Sequence, residues 1–200
     1  AHPALTALDL DGFELPIKQL KGTDSVGTDS VDLSIKGLGG KSTIVIGACI
    51  EVNRVLTSLN LWSNHIGDEG ARAIGDALRV NGALTFLDVG HNSLNEESTL
   101  NIGRAARERD KMAALGVAGC GLGVSGAQEI AEYVRASGAL TSIGEKGLNL
   151  RGNQLGDVGW GTIIAGVFAS MTSKNSSIDA GGSRIGPASA NTTRDASRHR

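Results

Sequence analysis

The sequence predicts an α/β fold in which short parallel strands and helices alternate in stacked repeat units. Three observations lead to this prediction. A pattern of apolar residues returns every 28 residues, apolar and polar residues alternate at the start of each unit, and glycine or asparagine recurs at a fixed place after the strand. The composition fits a thin aliphatic core, because only 3% of the 200 residues are aromatic while 29 are glycine.

The repeat is clearest where residues 59–78 are set against residues 115–134, which are offset by 56 residues, or twice 28. The same spacing places unit starts near residues 5, 28, 56, 84, 112, 145 and 175. We therefore expect one domain of about seven units over residues 1–186. A polar tail over residues 187–200 should follow it and should be disordered.

Each unit should begin with a short strand, because its fourth and sixth positions are apolar and point to one side. The fourth-position residues are Val31, Leu59, Leu87, Leu115, Leu148 and Ile178. The sixth-position residues are Leu33, Leu61, Val89, Val117, Leu150 and Ala180. Position nine is asparagine in three units, and we expect its amide to bond buried backbone groups of the neighbouring coil. These residues are Asn64, Asn92 and Asn153.

A helix should follow each strand and pack behind it. Its apolar anchors are Ile46, Ile74, Ile102 and Ile130. The residues at position twelve are nearly all glycine, which predicts a left-handed backbone conformation there. They are Gly39, Gly67, Asn95, Gly123, Gly156 and Gly186.

These positions together resemble the leucine-rich repeat, L-x-x-L-x-L-x-x-N/C-x-L, in its 28-residue form. That form is similar to the repeats of ribonuclease inhibitor and of the sensor regions of NOD-like receptors. The resemblance implies a leucine-rich repeat solenoid that is curved, with a parallel inner sheet and outer helices. It also implies that the concave face of the sheet grips another protein.

Two glycine-rich stretches imitate phosphate-binding loops. Residues 121–126 complete the G-x-G-x-x-G pattern of a dinucleotide-binding turn, and residues 37–43 imitate a Walker A loop that lacks its first glycine. On the repeat, Gly123 and Gly126 are ordinary repeat glycines and Gly121 is extra, in the place that His65 takes in another unit. We expect Gly121 to tolerate substitution and Gly123 to resist it. We therefore predict no catalytic, cofactor-binding or metal-binding residues.

The bulk properties narrow the class of partner. A net charge of −2 without a basic stripe argues against nucleic acid, and no apolar segment is long enough to span a membrane. Cys49 and Cys120 are far apart in the sequence, which favours reduced thiols and an intracellular, cytoplasmic protein without a signal peptide. Neither end carries a clear polar cap. The chain is thus expected to be a fragment of a longer protein or to have its ends covered by a partner in a larger assembly.

Positions three, five and seven of each unit should point outward on the concave face and contact the partner. From these positions we predict a binding surface of Asp32, Asn60, Trp62, Phe86, Asp88, Asn149 and Arg151. Trp62 and Phe86 would form its hot spot. The leading interpretation is a non-catalytic protein-binding scaffold whose partner the sequence does not identify. A GTPase-activating type of leucine-rich repeat protein is the alternative, and a nucleotide-dependent enzyme is a second one.

Overall fold

The computed structural model describes residues 8–140, 142–144 and 147–171, together with the backbone of residues 178–180 and 183–185. Strands and helices alternate through most of this chain. The strands of the main sheet are β3 (Ser30–Asp32), β4 (Ser58–Asn60), β5 (Phe86–Asp88), β6 (Ala114–Gly116) and β7 (Leu148–Asn149). The helices that follow them are α2 (Gly40–Val52), α3 (Gly67–Val80), α4 (Glu96–Arg107), α5 (Val124–Ala136) and α6 (Gly156–Met171).

The five strands form one parallel sheet in the order β3-β4-β5-β6-β7. Leu59 pairs with Leu87 and Leu87 with Leu115, so these neighbours lie 28 residues apart, as the repeat predicts. Between β6 and β7 the register pairs Leu115 with Leu148, which absorbs the five-residue insertion. The α/β architecture with a parallel sheet is therefore confirmed.

The core lies between one face of this sheet and the helices. Leu59 and Leu61 of the strand segment are fully buried, and so are the helix anchors Ile46, Ile74 and Ile102. Helices cover that face, and the buried apolar residues of the helices and of the strands form one hydrophobic core. The other face carries positions three, five and seven, and we call it the open sheet face.

The N-terminal part does not take the strand–turn–helix form expected of a repeat starting at residue 5. It consists of an antiparallel hairpin, β1 (Leu8–Leu10) with β2 (Phe13–Leu15), and a short helix α1 (Ile17–Lys21). Leu15, Ile17 and Leu20 are buried against the first coil. The amide of Asn53 donates to the Gln19 and Leu20 carbonyls at 3.0 Å. The expectation of an uncapped N-terminal end is thus wrong, because this element covers it.

The predicted strand of the last unit differs as well. The strand β8 (Ile178–Ala180) pairs antiparallel with β9 (Ser183–Ile185) in a sheet of their own and does not extend the parallel sheet. The predicted disordered tail at residues 187–200 lies outside the described residues, as does Gly186.

A left-handed backbone conformation recurs at position eight of the coils. The position-eight residues with positive φ, from 53° to 67°, are Ile35, Ser63, His91, Gly119 and Gly152. At position twelve only Gly67 and Gly156 are left-handed. The prediction for that position is wrong for Gly39, Asn95 and Gly123, whose φ angles are −95°, −81° and −103°.

An acidic side chain from the preceding part of the chain accounts for the extended residues. Each acid accepts a hydrogen bond from the backbone N–H of the N-cap residue, which directly precedes the helix of a later coil. The pairs are Asp11 with Gly39 at 2.8 Å, Asp68 with Asn95 at 3.0 Å and Glu96 with Gly123 at 2.9 Å. A carboxylate at a helix N-terminus also interacts favourably with the helix dipole. It thus holds the extended cap without a left-handed turn.

The two remaining helices lack this carboxylate. Gly40 and Val124 stand where the preceding coil would have to supply it for α3 and α6. In both cases the position-twelve glycine becomes the first helical residue and has a positive φ. The residue at position twelve therefore has extended backbone where an earlier acid caps the helix, and it is a left-handed glycine in the two coils without that acid.

Two rows of polar side chains tie the coils together, and the first is the predicted asparagine row. Asn64 Oδ1 accepts from the Lys36 and Leu38 N–H groups of the preceding coil at 2.9 and 3.0 Å. Asn153 does the same for the coil before it. The expected bonding of backbone groups between coils is confirmed.

Sequence analysis missed the second row, which lies where the helices end. Asn81 donates to the Ile50 and Asn53 carbonyls at 2.6 and 2.9 Å and accepts from the Leu84 N–H at 2.8 Å. In the next coil Arg109 takes this place and donates to the Leu78 carbonyl at 2.8 Å. These buried groups satisfy carbonyls that the helix ends leave unpaired.

Candidate functional site

The dinucleotide-like turn at residues 121–126 is filled by the protein itself. Glu96 Oε1 accepts from both the Gly123 and the Gly126 N–H groups, at 2.9 and 2.8 Å. These N–H groups open helix α5 and are the groups that would meet a phosphate in a dinucleotide-binding turn. A carboxylate already pairs with them.

The Walker-like stretch has the same arrangement. Asp11 Oδ2 accepts from the Gly39 N–H and from the Ser42 hydroxyl at the start of α2. The Ser42 hydrogen bond, followed by that of Gly39, holds the pKa of the Asp11 carboxyl below its usual value. Both glycine-rich stretches are therefore helix starts with an internal acid.

Metal and thiol chemistry gain no support from side-chain geometry. Within the described ranges, no group of three or more His, Cys, Asp or Glu side chains is arranged to hold a metal ion. Cys49 and Cys120 are both unpaired and buried. Burial raises the pKa of the Cys120 thiol to about 12, so this thiol is protonated and unreactive at neutral pH.

Four of the seven predicted surface residues form hydrogen bonds that stabilise the fold. Each position-five side chain accepts a hydrogen bond from the backbone N–H two residues later, where the strand ends. The bonds run from Ser34 to Asp32 at 2.9 Å, Trp62 to Asn60 at 3.0 Å, Gly90 to Asp88 at 2.8 Å and Arg151 to Asn149 at 3.3 Å. An Asp or Asn that bonds its own backbone in this way forms a turn and ends a strand. Asp and Asn therefore recur at position five because their side chains end the strands.

The two predicted hot-spot rings lie near opposite ends of the neighbouring strands β4 and β5. Phe86 opens β5 and pairs with Ser58, which opens β4, whereas Trp62 lies two residues beyond the end of β4. Four residues of strand separate the two positions, or roughly 13 Å at 3.3 Å per residue. Both side chains are half-buried on the open face. They therefore do not form one contiguous aromatic patch.

Trp62 instead contacts His91, which the sequence analysis did not place on the binding surface. The Trp62 and His91 rings meet edge to face, with centroids 5.5 Å apart and planes at 71°. A Cβ built on Gly119 would lie 2.9 Å from His91 Nδ1, so the imidazole lies over this glycine of the next coil. His91 thus joins the open face because Gly119 has no side chain.

Asp88 lies beside this pair. A Cβ built on Gly90 would lie 3.1 Å from both Trp62 Cδ1 and Asp88 Oδ1, so the indole and the carboxyl pack over this glycine from two sides. A Cβ built on Gly116 would overlap the Asp88 carboxyl group, which therefore fills the space above that glycine. We call Trp62, Asp88 and His91 the Trp62 cluster.

The environment of Asp88 differs from that of its equivalent, Asp32. Burial raises the pKa of the Asp88 carboxyl, although the Gly90 hydrogen bond and the nearby His91 act in the opposite direction. Asp32 is exposed, and its hydrogen bonds to Ser34 lower its pKa. The two residues occupy the same repeat position, so the surrounding coils cause the difference.

The remaining predicted residues lie farther along the sheet. Asn149 and Arg151 belong to the coil of β7, and β6 separates them from Asp88. The intervening strand presents the small residues Ala114 and Gly116. The structure therefore brings together Trp62, Asp88 and His91, with Asp32, Phe86, Asn149 and Arg151 outside this cluster.

A comparison with family models finds the leucine-rich repeat in two segments, residues 52–75 and 146–160. Comparison with curated protein sequences gives no match. No helix of the described part of the chain is long and apolar enough to cross a membrane.

Two solved structures illustrate the likeness in fold. One is titled "Leiomodin-1 Actin-Binding Site 2 (ABS2)", with a TM-score of 0.62, 19% identity and coverage of 80% of this chain and 89% of that one. The other is a tropomodulin C-terminal domain from Caenorhabditis elegans, with a TM-score of 0.64, 12% identity and coverage of 78% and 92%. At these identities the likeness concerns the fold. The two segments that match the leucine-rich repeat model lie within this fold.

Proposed function

We propose that this leucine-rich repeat chain is a non-catalytic scaffold that binds another protein through its open sheet face. In this proposal the coils form a curved solenoid of the ribonuclease-inhibitor type, and the open face is its concave side. The observation that carries the proposal is the Trp62 cluster, where an indole, an imidazole and a carboxylate lie together on the sheet face opposite the described helices.

The chemistry of this cluster suits protein recognition. A half-buried tryptophan offers a large rigid apolar area, and tryptophan is enriched among residues that dominate binding energy. Its contacts with His91 and the backbone of Gly90 restrict its movement before a partner arrives. Less side-chain entropy is then lost on binding.

Asp88 adds a second argument. An amide in its place would keep the strand-ending hydrogen bond, as Asn60 does one coil earlier. A partly desolvated carboxylate is instead present, although burial disfavours its charge. Groups held in unfavourable electrostatic surroundings are more frequent at functional sites.

Actin is the first candidate partner to test. One structure with this fold is described by its title as an actin-binding site of leiomodin-1, and the chain covers 89% of it. The alternative of an accessory to a GTPase has no residue of this chain to support it. An intracellular, cytoplasmic location remains a prediction from the unpaired cysteines.

Affinity capture followed by mass spectrometry tests the proposal, with purified actin as a separate direct assay. Three forms of the chain should be used as bait: wild type, Trp62→Ala, and Arg135→Ala as a control on the outer side of α5. Arg135 is half-exposed and pairs only with Glu132 at 2.7 Å among the described residues, so its loss should barely affect folding.

A partner of the open face should be held by wild type and by Arg135→Ala and lost from Trp62→Ala. Truncating a tryptophan at an interface centre costs at least about 2 kcal/mol, or roughly 30-fold in Kd. Circular dichroism should show that all three forms are folded. A partner that binds Trp62→Ala normally but is lost from Arg135→Ala would place binding on the helices and contradict the proposal.

A further inference from the structure

We propose that the Trp62 cluster receives an arginine side chain of the partner protein, held between the Trp62 indole and the Asp88 carboxylate. This inference rests on the proposed function and names the chemistry of the group that the scaffold recognises.

The first step concerns the oxygen atoms of Asp88. Oδ1 accepts the Gly90 N–H at 2.8 Å and is committed to the turn. For Oδ2, no hydrogen bond or ion pair with any described residue is present. A carboxylate oxygen in a partly desolvated place gains most from a charged donor, because such hydrogen bonds are roughly twice as strong as neutral ones.

The second step concerns the shape around this oxygen. Gly90 and Gly116 have no side chains, and the Trp62 indole and the Asp88 carboxyl pack closely over them, so these two groups lie side by side above the strands. The Ala118 carbonyl oxygen of the next coil bounds the same place, because it would lie 3.2 Å from a Cβ on Gly90. A narrow, planar group entering from the open side meets an aromatic ring and a carboxylate together.

The third step concerns charge. In the coils of β3 to β7, the charged residues at positions three, five and seven are Asp32, Asp88 and Arg151. Arg151 lies in the coil of β7, beyond β6, so β3 to β5 carry only carboxylates at these positions, and Lys36, two residues beyond the turn of β3, interacts with Asp32. This part of the face is therefore complementary to a cation.

Arginine fits this combination better than lysine. A guanidinium is planar, is weakly hydrated, lies against aromatic faces and donates to a carboxylate at the same time. An ammonium is a compact and strongly hydrated charge that gains less from the indole. An anionic group on the partner would be repelled by Asp88.

The test uses N-acetyl-arginine amide as the probe, titrated into uniformly ¹⁵N-labelled chain up to about 50 mM and followed by heteronuclear NMR. N-acetyl-citrulline amide is the matched neutral control, because it has nearly the same shape without the charge. The protein variants are Asp88→Asn and, as the control at the same repeat position, Asp32→Asn.

The arginine probe should give saturable shifts of the Trp62 indole N–H and of the Gly90 and Gly116 amides. The citrulline probe should give none. Asp88→Asn should weaken arginine binding at least about tenfold, the loss expected when a charged hydrogen bond becomes neutral, and Asp32→Asn should leave it unchanged.

Absence of saturable shifts in the wild type would overturn the arginine inference, as would equal binding by wild type and Asp88→Asn or equal shifts from citrulline. Failure of the arginine inference is separable from failure of the scaffold proposal. In the first case Trp62→Ala still loses the captured partner, and in the second case it retains it.

Discussion

At the scale of single residues, Asp88 carries a charge that its place in the repeat does not require. Its Oδ1 ends the strand by accepting from Gly90, a task that Asn60 performs with an amide at 3.0 Å in the coil before. Burial raises the pKa of the Asp88 carboxyl, so the charged form is less favourable in the folded chain than in the unfolded chain. The residue thus opposes folding slightly at neutral pH and gives the open face a negative charge.

Asp88→Asn should therefore raise the free energy of unfolding at pH 7, by an amount on the order of 1 kcal/mol or less. Because the folded-state pKa lies above the unfolded value near 3.8, wild type loses stability as the pH rises through the interval above that value. Urea denaturation of both proteins between pH 3 and pH 7 measures this difference, which should vanish at the acid end.

Asp32→Asn is the control for this experiment. Its hydrogen bonds to Ser34 lower the pKa of Asp32, so the charged form favours folding above the unfolded pKa and this contribution is lost on acidification. The substitution should give no gain at pH 7. A gain as large as that of Asp88→Asn would mean that general charge reduction, and not burial at Asp88, explains the effect.

The backbone conformations of Gly121 and Gly123 reverse the prediction of which glycine tolerates substitution. Gly121 has a φ of +69°, and a Cβ there would lie 3.1 Å from the Leu94 carbonyl oxygen. Gly123 has extended backbone, and a Cβ there would make an ordinary contact of 3.4 Å with Glu96 Oε1. Gly121→Ala should thus destabilise by about 1–2 kcal/mol and Gly123→Ala by clearly less.

Thermal unfolding of the two alanine variants checks this order. A larger loss for Gly123→Ala would show that position twelve needs glycine after all, and the account of the acidic caps would then be wrong. The sequence could not reveal the difference, since both positions carry glycine and the deciding group, Glu96, lies one coil away.

At the scale of elements, the start of each helix depends on the coil before it. Glu96 serves α5 through two N–H groups, and Asp68 serves α4 through the Asn95 N–H. The repeat helices α3 and α6, which lack such an acid, begin with a left-handed glycine. Adjacent coils are thereby coupled through polar contacts in addition to their shared apolar core.

Glu96→Ala should lower the free energy of unfolding by about 1–2 kcal/mol, because two N–H groups of α5 lose their acceptor and the helix dipole loses a compensating charge. Glu97→Ala is the matched control: its side chain is 76% exposed and forms a surface ion pair with Arg104 at 3.1 Å. That change should cost less than about 0.5 kcal/mol. Equal losses in urea denaturation would contradict the cap.

At the scale of the whole molecule, the strand and helix pattern could be predicted because apolar residues at fixed spacing report directly on the core. The pairing of Leu59, Leu87 and Leu115 follows that spacing. The N-terminal hairpin was not predicted, because Leu8 and Leu10 show the same alternation as a repeat strand and only the Asp11-Gly12 turn indicates a hairpin. The second polar row mixes Asn81 with Arg109 and so leaves no single-residue signature.

The candidate site could be predicted only in part for a related reason. The register of the repeat predicts which side chains face outward, and it placed Trp62 and Asp88 on the open sheet face. It does not predict which outward side chains contact one another, because those contacts depend on glycines in neighbouring coils, namely Gly90, Gly116 and Gly119. His91 belongs to the cluster because its imidazole lies over Gly119, whereas Phe86 lies near the other end of the strands.

The most direct test of the central claim is a hydrogen–deuterium exchange footprint of the chain with and without its captured partner. Binding on the open sheet face should slow exchange in residues 58–63, 86–91 and 114–119, the segments that carry the Trp62 cluster and its floor, and leave the outer sides of α3, α4 and α5 unchanged. Protection confined to those helices, with no change in the three strand segments, would contradict the assignment of the open sheet face as the binding surface.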